Sequence, residues 1–272
     1  MATPALRAIR ENHPSAHVTY VLRGYIAGLF EGTGWYDEAI VYERSLRSVR
    51  NAAAKLAAER HDLGILLTNS FRTGLLFRLG RVRRRVGFAR AFGDWMLTDV
   101  LQPIRVGRFL PRRMRFPTLD SYLAILYHLG IKVVSRRLEL AVDDRSRATA
   151  RAFYEEVGIA PGDLVVGMAP GAAFGAAKCW APESFAAAAD RLRDELGAPP
   201  VVLAGPYEEE TARRIVAAAK SPVATSAGRG FGLDVFKALV ERVDLLVTND
   251  SGPRHFGAAL GRPTVTLFGP TQ

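Results

Sequence analysis

The chain has 272 residues and a formal net charge of +10, with 49% hydrophobic and 24% charged residues. This length predicts two domains, because a domain usually holds roughly 100–200 residues, and the composition excludes an intrinsically disordered chain. The single cysteine, Cys179, excludes an intrachain disulfide and a metal site built from several cysteines.

Short apolar runs alternate with amphipathic stretches along the chain, a pattern typical of parallel sheets covered by helices. The predicted strands are residues 17–22, 38–41, 63–67, 86–87, 164–169, 200–203, 223–225, 245–248 and 264–267. The predicted helices are residues 2–12, 46–60, 72–79, 117–129, 144–157, 182–196, 208–219, 233–242 and 254–260. The sequence therefore predicts an α/β protein.

An extended stretch gives way to a charged helix start at residues 138–147 (LELAVDDRSR), and we place the domain boundary there. The predicted domains are residues 1–142 and 143–272. The first opens with a helix at Thr3-Pro4, whereas a doubly wound domain normally begins with a strand in the middle of its sheet. The second stops soon after its last predicted strand. We therefore expect the first strand and the C-terminal end of the fold to lie outside these residues.

Arginines cluster at residues 78–90 (RLGRVRRRVGFAR) and 105–115 (RVGRFLPRRMR). Nucleic acid, anionic lipid head groups or a phosphorylated substrate would match this charge, and a solvated face is the structural alternative. The sequence carries no zinc-finger spacing, RNA-binding signature or helix-turn-helix pattern, so we expect no nucleic-acid partner. Because no apolar run approaches the ~18 residues of a membrane span, we expect a cytoplasmic protein, at most peripheral to a membrane.

A glycine-rich turn at residues 168–180 (MAPGAAFGAAKCW) follows a predicted strand and precedes a predicted helix. Backbone amides in such a turn approach phosphate oxygens closely, and Lys178 adds a mobile positive charge. The turn matches neither a Walker loop nor a GxGxxG dinucleotide turn. Its spacing leaves two interpretations open, a phosphate cradle or a structural turn with a solvated lysine.

A second strand-to-helix turn lies at residues 245–260 (LLVTNDSGPRHFGAAL). Asp250 and Ser251 are good helix N-cap residues, and a capped helix is the structural interpretation. The functional interpretation is that amides around Ser251 and Gly252 hold a phosphate at the positive end of the helix dipole, while Asp250 accepts from sugar hydroxyls. His255 follows within the first turn and would face the crevice where open α/β sheets place their ligands.

The segments PGAAFGAAKCW, GPYEEE and TNDSGPRHFGAALGRPTVTLFGPT, in this order and spacing, resemble the donor half of the ADP-heptose:lipopolysaccharide heptosyltransferases, glycosyltransferase family 9. MATPALRAIR, LLTNSFRTGLLF, RVGFAR and MLTDV resemble the acceptor half of the heptosyltransferase II branch, with TNSF the most telling piece. The resemblance runs over nearly the whole chain.

This resemblance implies a GT-B fold, in which two Rossmann-like domains place the active site in the cleft between them. It implies inverting transfer of L-glycero-D-manno-heptose from ADP-heptose to the inner core of lipopolysaccharide, with heptosyl-Kdo2-lipid A as acceptor. The implied partners are ADP-heptose, the phosphorylated lipid A-core glycolipid and the anionic inner face of the inner membrane of Gram-negative bacteria. It implies no cofactor and no metal.

The resemblance also assigns roles to residues. It makes Lys178 the catalytic residue at the donor phosphates, Glu208 an acceptor at the ribose, and Phe231 and Leu233 the lining of the adenine pocket. By itself Glu208 is an ordinary helix-start carboxylate. The implied donor-binding residues are Ala173, Phe174, Lys178, Glu208, Phe231, Leu233, Asp250, Ser251, Gly252 and His255, and the acceptor-side candidates are Asn69, Ser70, Arg72, Arg112 and Arg113.

The general base of the family is an aspartate that would precede Thr3-Pro4, so we expect these 272 residues alone to be inactive in transfer. Three alternatives stay open. One is another member of the family with a different acceptor or sugar, and a second is a nucleotide-binding protein without catalysis. A third, a basic nucleic-acid binder, predicts an affinity that falls steeply with salt and ignores ADP.

Overall fold

The computed structural model describes residues 1–68, 70–89, 93–106, 112–113, 116–171 and 176–269. The chain divides into two compact units. The N-terminal unit comprises Met1–Ala27 and Gly34–Arg137, and the C-terminal unit comprises Gly28–Thr33 and Leu138–Gln272. The division before Leu138 lies close to the predicted boundary between residues 142 and 143. The assignment of Gly28–Thr33 to the C-terminal unit had no counterpart in the sequence patterns.

The N-terminal unit combines four helices with short strands in its described part. The helices are α1 (Thr3–Asn12), α2 (Leu46–Glu59), α3 (Phe71–Leu79) and α4 (Thr118–His128). The strands are β1 (Thr19–Arg23), β2 (Glu38–Tyr42), β3 (Leu63–Leu66), β4 (Arg84–Phe88), β5 (Asp99–Leu101), β6 (Arg105–Val106) and β7 (Arg112–Arg113). β1 and β2 form one parallel pair, β3, β4 and β5 form a second parallel sheet, and β6 and β7 pair antiparallel.

Two apolar clusters hold the N-terminal unit together. In α2, Val49, Ala52 and Leu56 are spaced three and four residues apart, so they fall on one helix face. This face packs against Ile40 of β2 and Leu76 of α3. The second cluster joins α1 to α4 through Ala5, Ala8, Leu123, Leu126 and Ile131.

The C-terminal unit is a five-stranded parallel sheet covered by helices. Its helices are α5 (Asp144–Glu156), α6 (Pro182–Leu196), α7 (Glu209–Ala218), α8 (Leu233–Arg242) and α9 (Gly252–Ala259). Its strands are β8 (Val166–Ala169), β9 (Pro200–Val202), β10 (Ala224–Thr225), β11 (Leu245–Asn249) and β12 (Thr264–Leu267), in the order β10-β9-β8-β11-β12. α5 and α8 contribute to one apolar cluster, and α6 and α7 to another.

The central strand of this sheet explains the continuous apolar run seen in the sequence. All four residues of β8 are buried, as expected for a parallel strand with helices on both faces. β8 pairs with β9 on one side and with β11 on the other, so the chain reverses its direction of travel across the sheet at β8. Among the described residues, every helix is too short or too polar to span a bilayer.

Candidate functional site

The candidate site lies in the C-terminal unit, where the loops that follow β8 and β11 leave adjacent strands. Both strands are parallel, so both loops emerge at the carboxyl edge of the sheet. In open α/β sheets the crevice between such loops, at the point where the strand order reverses, is where ligands bind. The first loop carries Lys178, and the second carries Asp250 and leads into α9.

An ion cluster joins the two loops. The Lys178 Nζ atom donates to Asp250 Oδ2 at 3.0 Å, and Arg254 Nη1 lies 3.1 Å from Asp250 Oδ1. The hydrogen bond from Lys178, aided by the charge of Arg254, lowers the pKa of the Asp250 carboxyl below its ordinary value. The cluster therefore holds two cations against one carboxylate. The sequence assigned Asp250 to sugar hydroxyls and did not single out Arg254, although its i,i+4 spacing to Asp250 was a usable signal.

His255 lies beside this cluster and is half-buried. Its burial, reinforced by the neighbouring Arg254 charge, lowers its pKa to about 4. The imidazole is therefore neutral near pH 7, with one donor nitrogen and one acceptor nitrogen. The structure places it in the first turn of α9, next to Arg254, and its role in donor binding stays a prediction.

Asn249, the last residue of β11, ties the two loops together. Its side chain is buried, its Nδ2 donates to the Pro170 carbonyl at 2.6 Å, and its Oδ1 accepts from the Trp180 amide at 3.1 Å. Both bonds reach the loop that carries Lys178. Asn249 therefore acts as a positioning residue, and the sequence reading missed it because an Asn before Asp250 looks like an ordinary turn residue.

The start of α9 differs in detail from the prediction. Ser251 occupies the N-cap position, but its side chain makes no capping hydrogen bond, so the predicted side-chain cap is wrong. Ser251 Oγ is buried with no hydrogen-bond partner among the described residues, and the Ser251 amide donates to Asn249 O at 2.7 Å. The helix begins at Gly252, earlier than predicted, and Gly252 is exposed. The first amides of a helix lack intrahelical acceptors and attract anions.

Glu208 reaches the same edge of the sheet from the loop after β9. Its Oε2 accepts from the Gly205 amide at 2.9 Å. A side chain at Gly171 would meet it directly, since a Cβ built there lies 1.5 Å from Glu208 Oε1. The carboxylate thus rests on the backbone just past β8, where only glycine fits. Its role at a ribose stays a prediction.

The other predicted donor residues are placed as follows. Phe231 is half-buried and packs edge-on against Phe153, with ring centroids 5.8 Å apart, and Leu233 is the first residue of α8. Phe231 therefore serves the core of the unit, and the adenine-pocket role of both residues stays a prediction. Ala173 and Phe174 lie outside the described residues.

The acceptor-side candidates belong to the N-terminal unit. Ser70 caps α3, because its Oγ accepts from the Thr73 amide at 3.2 Å, and Arg72 is exposed in the first turn. Asn69 lies outside the described residues, and Arg112 and Arg113 form β7 with side chains that are not described. A local capping role accounts for Ser70 without an acceptor.

Several arginines of the first cluster, residues 78–90, contact partners within the N-terminal unit. Arg84 pairs with Asp99 at 2.6 Å, and Arg85 donates to the backbone carbonyls of Val82 and Met96. Burial lowers the pKa of Arg85. Arg83 is largely exposed and lies 3.8 Å from Asp62. Of these three arginines, Arg83 is the most exposed to an acidic partner, and Arg85 is held by contacts within the unit.

Comparison with known proteins gives a consistent result. A model of glycosyltransferase family 9 (heptosyltransferase) matches residues 49–272. Lipopolysaccharide heptosyltransferase 2 of Escherichia coli K12 is 28% identical over 287 aligned positions, which cover 100% of this chain and 79% of the relative. Lipopolysaccharide heptosyltransferase 3 of Escherichia coli is 22% identical and is covered to 80% of its length.

Solved structures show the same similarity. The glycosyl transferase family 9 protein from Veillonella parvula superposes with a TM-score of 0.87 at 28% identity, over 100% of this chain and 78% of that one. The E. coli ADP-heptose LPS heptosyltransferase II superposes with a TM-score of 0.82 at 25% identity, over 100% of this chain and 81% of that one. An E. coli heptosyltransferase in complex with ADP-2-deoxy-2-fluoro heptose shares the fold, with a TM-score of 0.71 at 18% identity.

Proposed function

The chain belongs to glycosyltransferase family 9, the heptosyltransferases, and from this premise we propose that it functions in the transfer of heptose from ADP-heptose to the inner core of lipopolysaccharide by binding the donor and the acceptor. The resemblance and the GT-B-type α/β fold predicted from the sequence are confirmed. The observation that carries the proposal is the cluster of Lys178, Asp250 and Arg254 at the point where the strand order reverses. This cluster provides an anion site of the kind that a nucleoside diphosphate sugar requires.

The charge balance supports a diphosphate ligand. Two cations face one carboxylate, and His255 is neutral near pH 7, so the cluster keeps a net positive charge. The amino end of α9 adds the positive end of a helix dipole. Asp250 holds Lys178 in place, which reduces the entropy lost when the ammonium group meets a phosphate.

In the proposed reaction an acceptor hydroxyl attacks the anomeric carbon from the side opposite the diphosphate. The bond from that carbon to the phosphate oxygen breaks, the configuration inverts, and a general base takes the hydroxyl proton. Negative charge grows on the departing ADP, and Lys178 with the α9 amides stabilises that charge more in the transition state than in the ground state. We assign this task to Lys178 and α9 without a metal ion.

The proposed acceptor is heptosyl-Kdo2-lipid A, since heptosyltransferase 2 of E. coli aligns over the whole chain. A second candidate is a later acceptor of the core, because heptosyltransferase 3 of E. coli also aligns over the whole chain. The two candidates share the donor and differ in the acceptor, so a measurement of acceptor binding distinguishes them.

We propose that the enzyme works at the inner face of the inner membrane of a Gram-negative bacterium. The N-terminal unit exposes Phe71, Leu79 and Trp95, and the Arg78 guanidinium lies 5.0 Å from the centre of the Trp95 ring. Tryptophan and arginine side chains suit the boundary between lipid head groups and water. An amphiphilic, phosphorylated acceptor is presented at that boundary.

Calorimetric titration tests the donor, with ADP-heptose, ADP, GDP-mannose and UDP-glucose as ligands. We expect ADP-heptose and ADP to bind and the other two to bind at least tenfold more weakly, which corresponds to about 1.4 kcal/mol. Equal affinity for all four would contradict the donor assignment. Flotation with lipid vesicles tests the acceptor. The vesicles carry Kdo2-lipid A with no, one or two heptoses, and preferential flotation of the protein with the monoheptosyl vesicles supports the first candidate.

A further inference from the structure

A cluster of one histidine and two glutamates lies exposed in the N-terminal unit and takes no part in the proposed function. One ligand atom from each of His17, Glu38 and Glu59 lies within 4.8 Å of the other two. His61 lies next to the cluster, because its Nε2 lies 2.5 Å from Glu59 Oε2. Imidazole nitrogen and carboxylate oxygen together are the ligands of zinc and of similar first-row divalent ions.

The three side chains come from three separate segments. His17 precedes β1, Glu38 is the first residue of β2, and Glu59 is the last residue of α2. Thr19 pairs in register with Glu38, so β1 and β2 start side by side and their ends bring the first two groups together. The His17 and Glu38 side chains approach to 3.8 Å.

Backbone bonds hold His17 and Glu38 in place. The Asp37 carboxylate accepts from the Val18 amide at 2.7 Å, and the Asp37 amide donates to the Val18 carbonyl at 2.9 Å. These bonds fix the residues next to His17 and Glu38. Arg10 pairs with Asp37, so the charge of that carboxylate is already compensated and Asp37 does not compete for a cation.

Glu59, the third member of the cluster, is held by its contact with His61, which depends on the backbone conformation of the residue between them. Arg60 adopts the left-handed conformation, with φ 57° and ψ 55°, although it is not glycine. This turn directs His61 back onto Glu59, and the two side chains have 15% and 25% of their surface exposed. The Thr19 hydroxyl donates to Glu59 Oε2 at 3.4 Å, as outer partners do at metal sites.

We propose that His17, Glu38 and Glu59, completed by water, form a structural binding site for one zinc-type divalent ion. Bonds of about 2.0–2.2 Å place neighbouring ligand atoms of a tetrahedral ion roughly 3.3–3.6 Å apart, so the three atoms, which lie within 4.8 Å of one another, draw closer by side-chain rotation when the ion binds. His61 keeps its hydrogen bond to Glu59 and supports that carboxylate without coordinating the ion. The ion cross-links the starts of β1 and β2 to the end of α2 and therefore stabilises the N-terminal unit.

The test uses the 272-residue chain with any affinity tag removed and its metals stripped by chelation and dialysis. Cobalt(II) is titrated in while its visible absorption is recorded, and zinc is then added as competitor. We expect one equivalent of cobalt to bind with the intense spectrum of a four-coordinate nitrogen and oxygen site, and zinc to displace it. Displacement of the bound cobalt by excess magnesium would overturn the assignment to a zinc-type ion.

The variants are His17→Ala, Glu38→Gln and Glu59→Gln, with His13→Ala as the matched control because His13 is exposed and outside the cluster. Each ligand substitution should weaken cobalt binding at least tenfold, and the control should leave it within twofold. Zinc should raise the melting temperature of the wild type and of the control and leave that of the ligand variants unchanged. Glu38→Gln preserves shape at an exposed position, so it separates lost binding from misfolding. Equal binding by wild type and Glu38→Gln would overturn the proposal.

Discussion

Lys178 and Asp250 are 72 positions apart in the chain, and the ammonium group of one donates to the carboxylate of the other at 3.0 Å. The parallel pairing of β8 with β11 creates this contact, since it brings the loops after both strands to one edge of the sheet. Because Asp250 also holds Arg254, its carboxylate organises both cations of the site.

Replacing Lys178 with alanine should weaken ADP binding. The loss of one charged contact to the diphosphate costs about 1.5–3 kcal/mol, or about tenfold to 150-fold in affinity. Calorimetric titration with ADP measures this effect, and Lys220→Ala is the control, because Lys220 is an exposed lysine of the same unit. An ADP affinity that Lys178→Ala leaves unchanged would show that this lysine does not contact the diphosphate.

His255 should make the stability of the protein depend on pH. Its pKa is about 4 in the folded chain against 6.5 ordinarily, so the unfolded chain binds the additional proton between these values. The stabilisation is complete above pH 6.5 and is lost as the pH falls towards 4, by about 2 kcal/mol at pH 5.

Urea unfolding at pH 7.5 and pH 5 measures this loss. The free energy of unfolding should differ between the two pH values by about 2 kcal/mol less in His255→Gln than in the wild type. His13→Gln, at an exposed position, should show the same difference as the wild type. If the wild type and His255→Gln lost the same free energy of unfolding between pH 7.5 and pH 5, His255 would not be the cause of the loss.

Gly171 and Glu208 should show coupled effects in mutants. Gly171→Ala places a methyl group 1.5 Å from the original position of Glu208 Oε1, so it displaces the carboxylate and should destabilise the protein by about 1–3 kcal/mol. Gly171→Ala combined with Glu208→Ala removes the collision and should recover part of that loss.

Gly162→Ala is the matched control for this pair, since nothing lies within 4 Å of a Cβ at that position. Chemical denaturation of the wild type, Gly171→Ala, Glu208→Ala and the double variant gives the coupling free energy between the two residues. Strict additivity of the Gly171→Ala and Glu208→Ala effects would mean that the two residues do not meet.

Lys237 should anchor the segment Gly28–Thr33 within the C-terminal unit. Its side chain is fully buried, its Nζ donates to the Glu31 carbonyl at 2.7 Å, and Asp143 lies 3.9 Å away. Burial lowers the pKa of the ammonium group, and the charge of Asp143 opposes that shift. Lys237→Met keeps the apolar stem and leaves the Glu31 carbonyl without its donor, at a cost of about 1–3 kcal/mol.

Cleavage by a glutamate-specific protease measures the release of this segment. Lys237→Met should be cut after Glu31 faster than the wild type, whereas Lys220→Met, at an exposed lysine, should be cut at the wild-type rate. Equal cleavage rates for Lys237→Met and the wild type would refute the anchoring role.

Local patterns predicted most of the helices and strands because the forces that form them act between residues near in the chain. Helix α6 runs from Pro182 to Leu196, as predicted, since proline suits its first turn and Gly197 ends it in the left-handed conformation. Strand β12 also matches its prediction. The strands β5, β6 and β7 were missed, because each contains a charged residue and none shows the apolar run that marked the other strands.

The sequence by itself determined the family, the alternation of strands and helices, and the two turns that carry Lys178 and Asp250. Only the tertiary structure decided that these two residues bind each other, that Asn249 joins their loops, and that Gly28–Thr33 belongs with the C-terminal unit. It also brought His17 and Glu59 together. Such contacts depend on which strands pair and in which register, and strand pairing is set by burial across the whole sheet, which no short window of sequence contains.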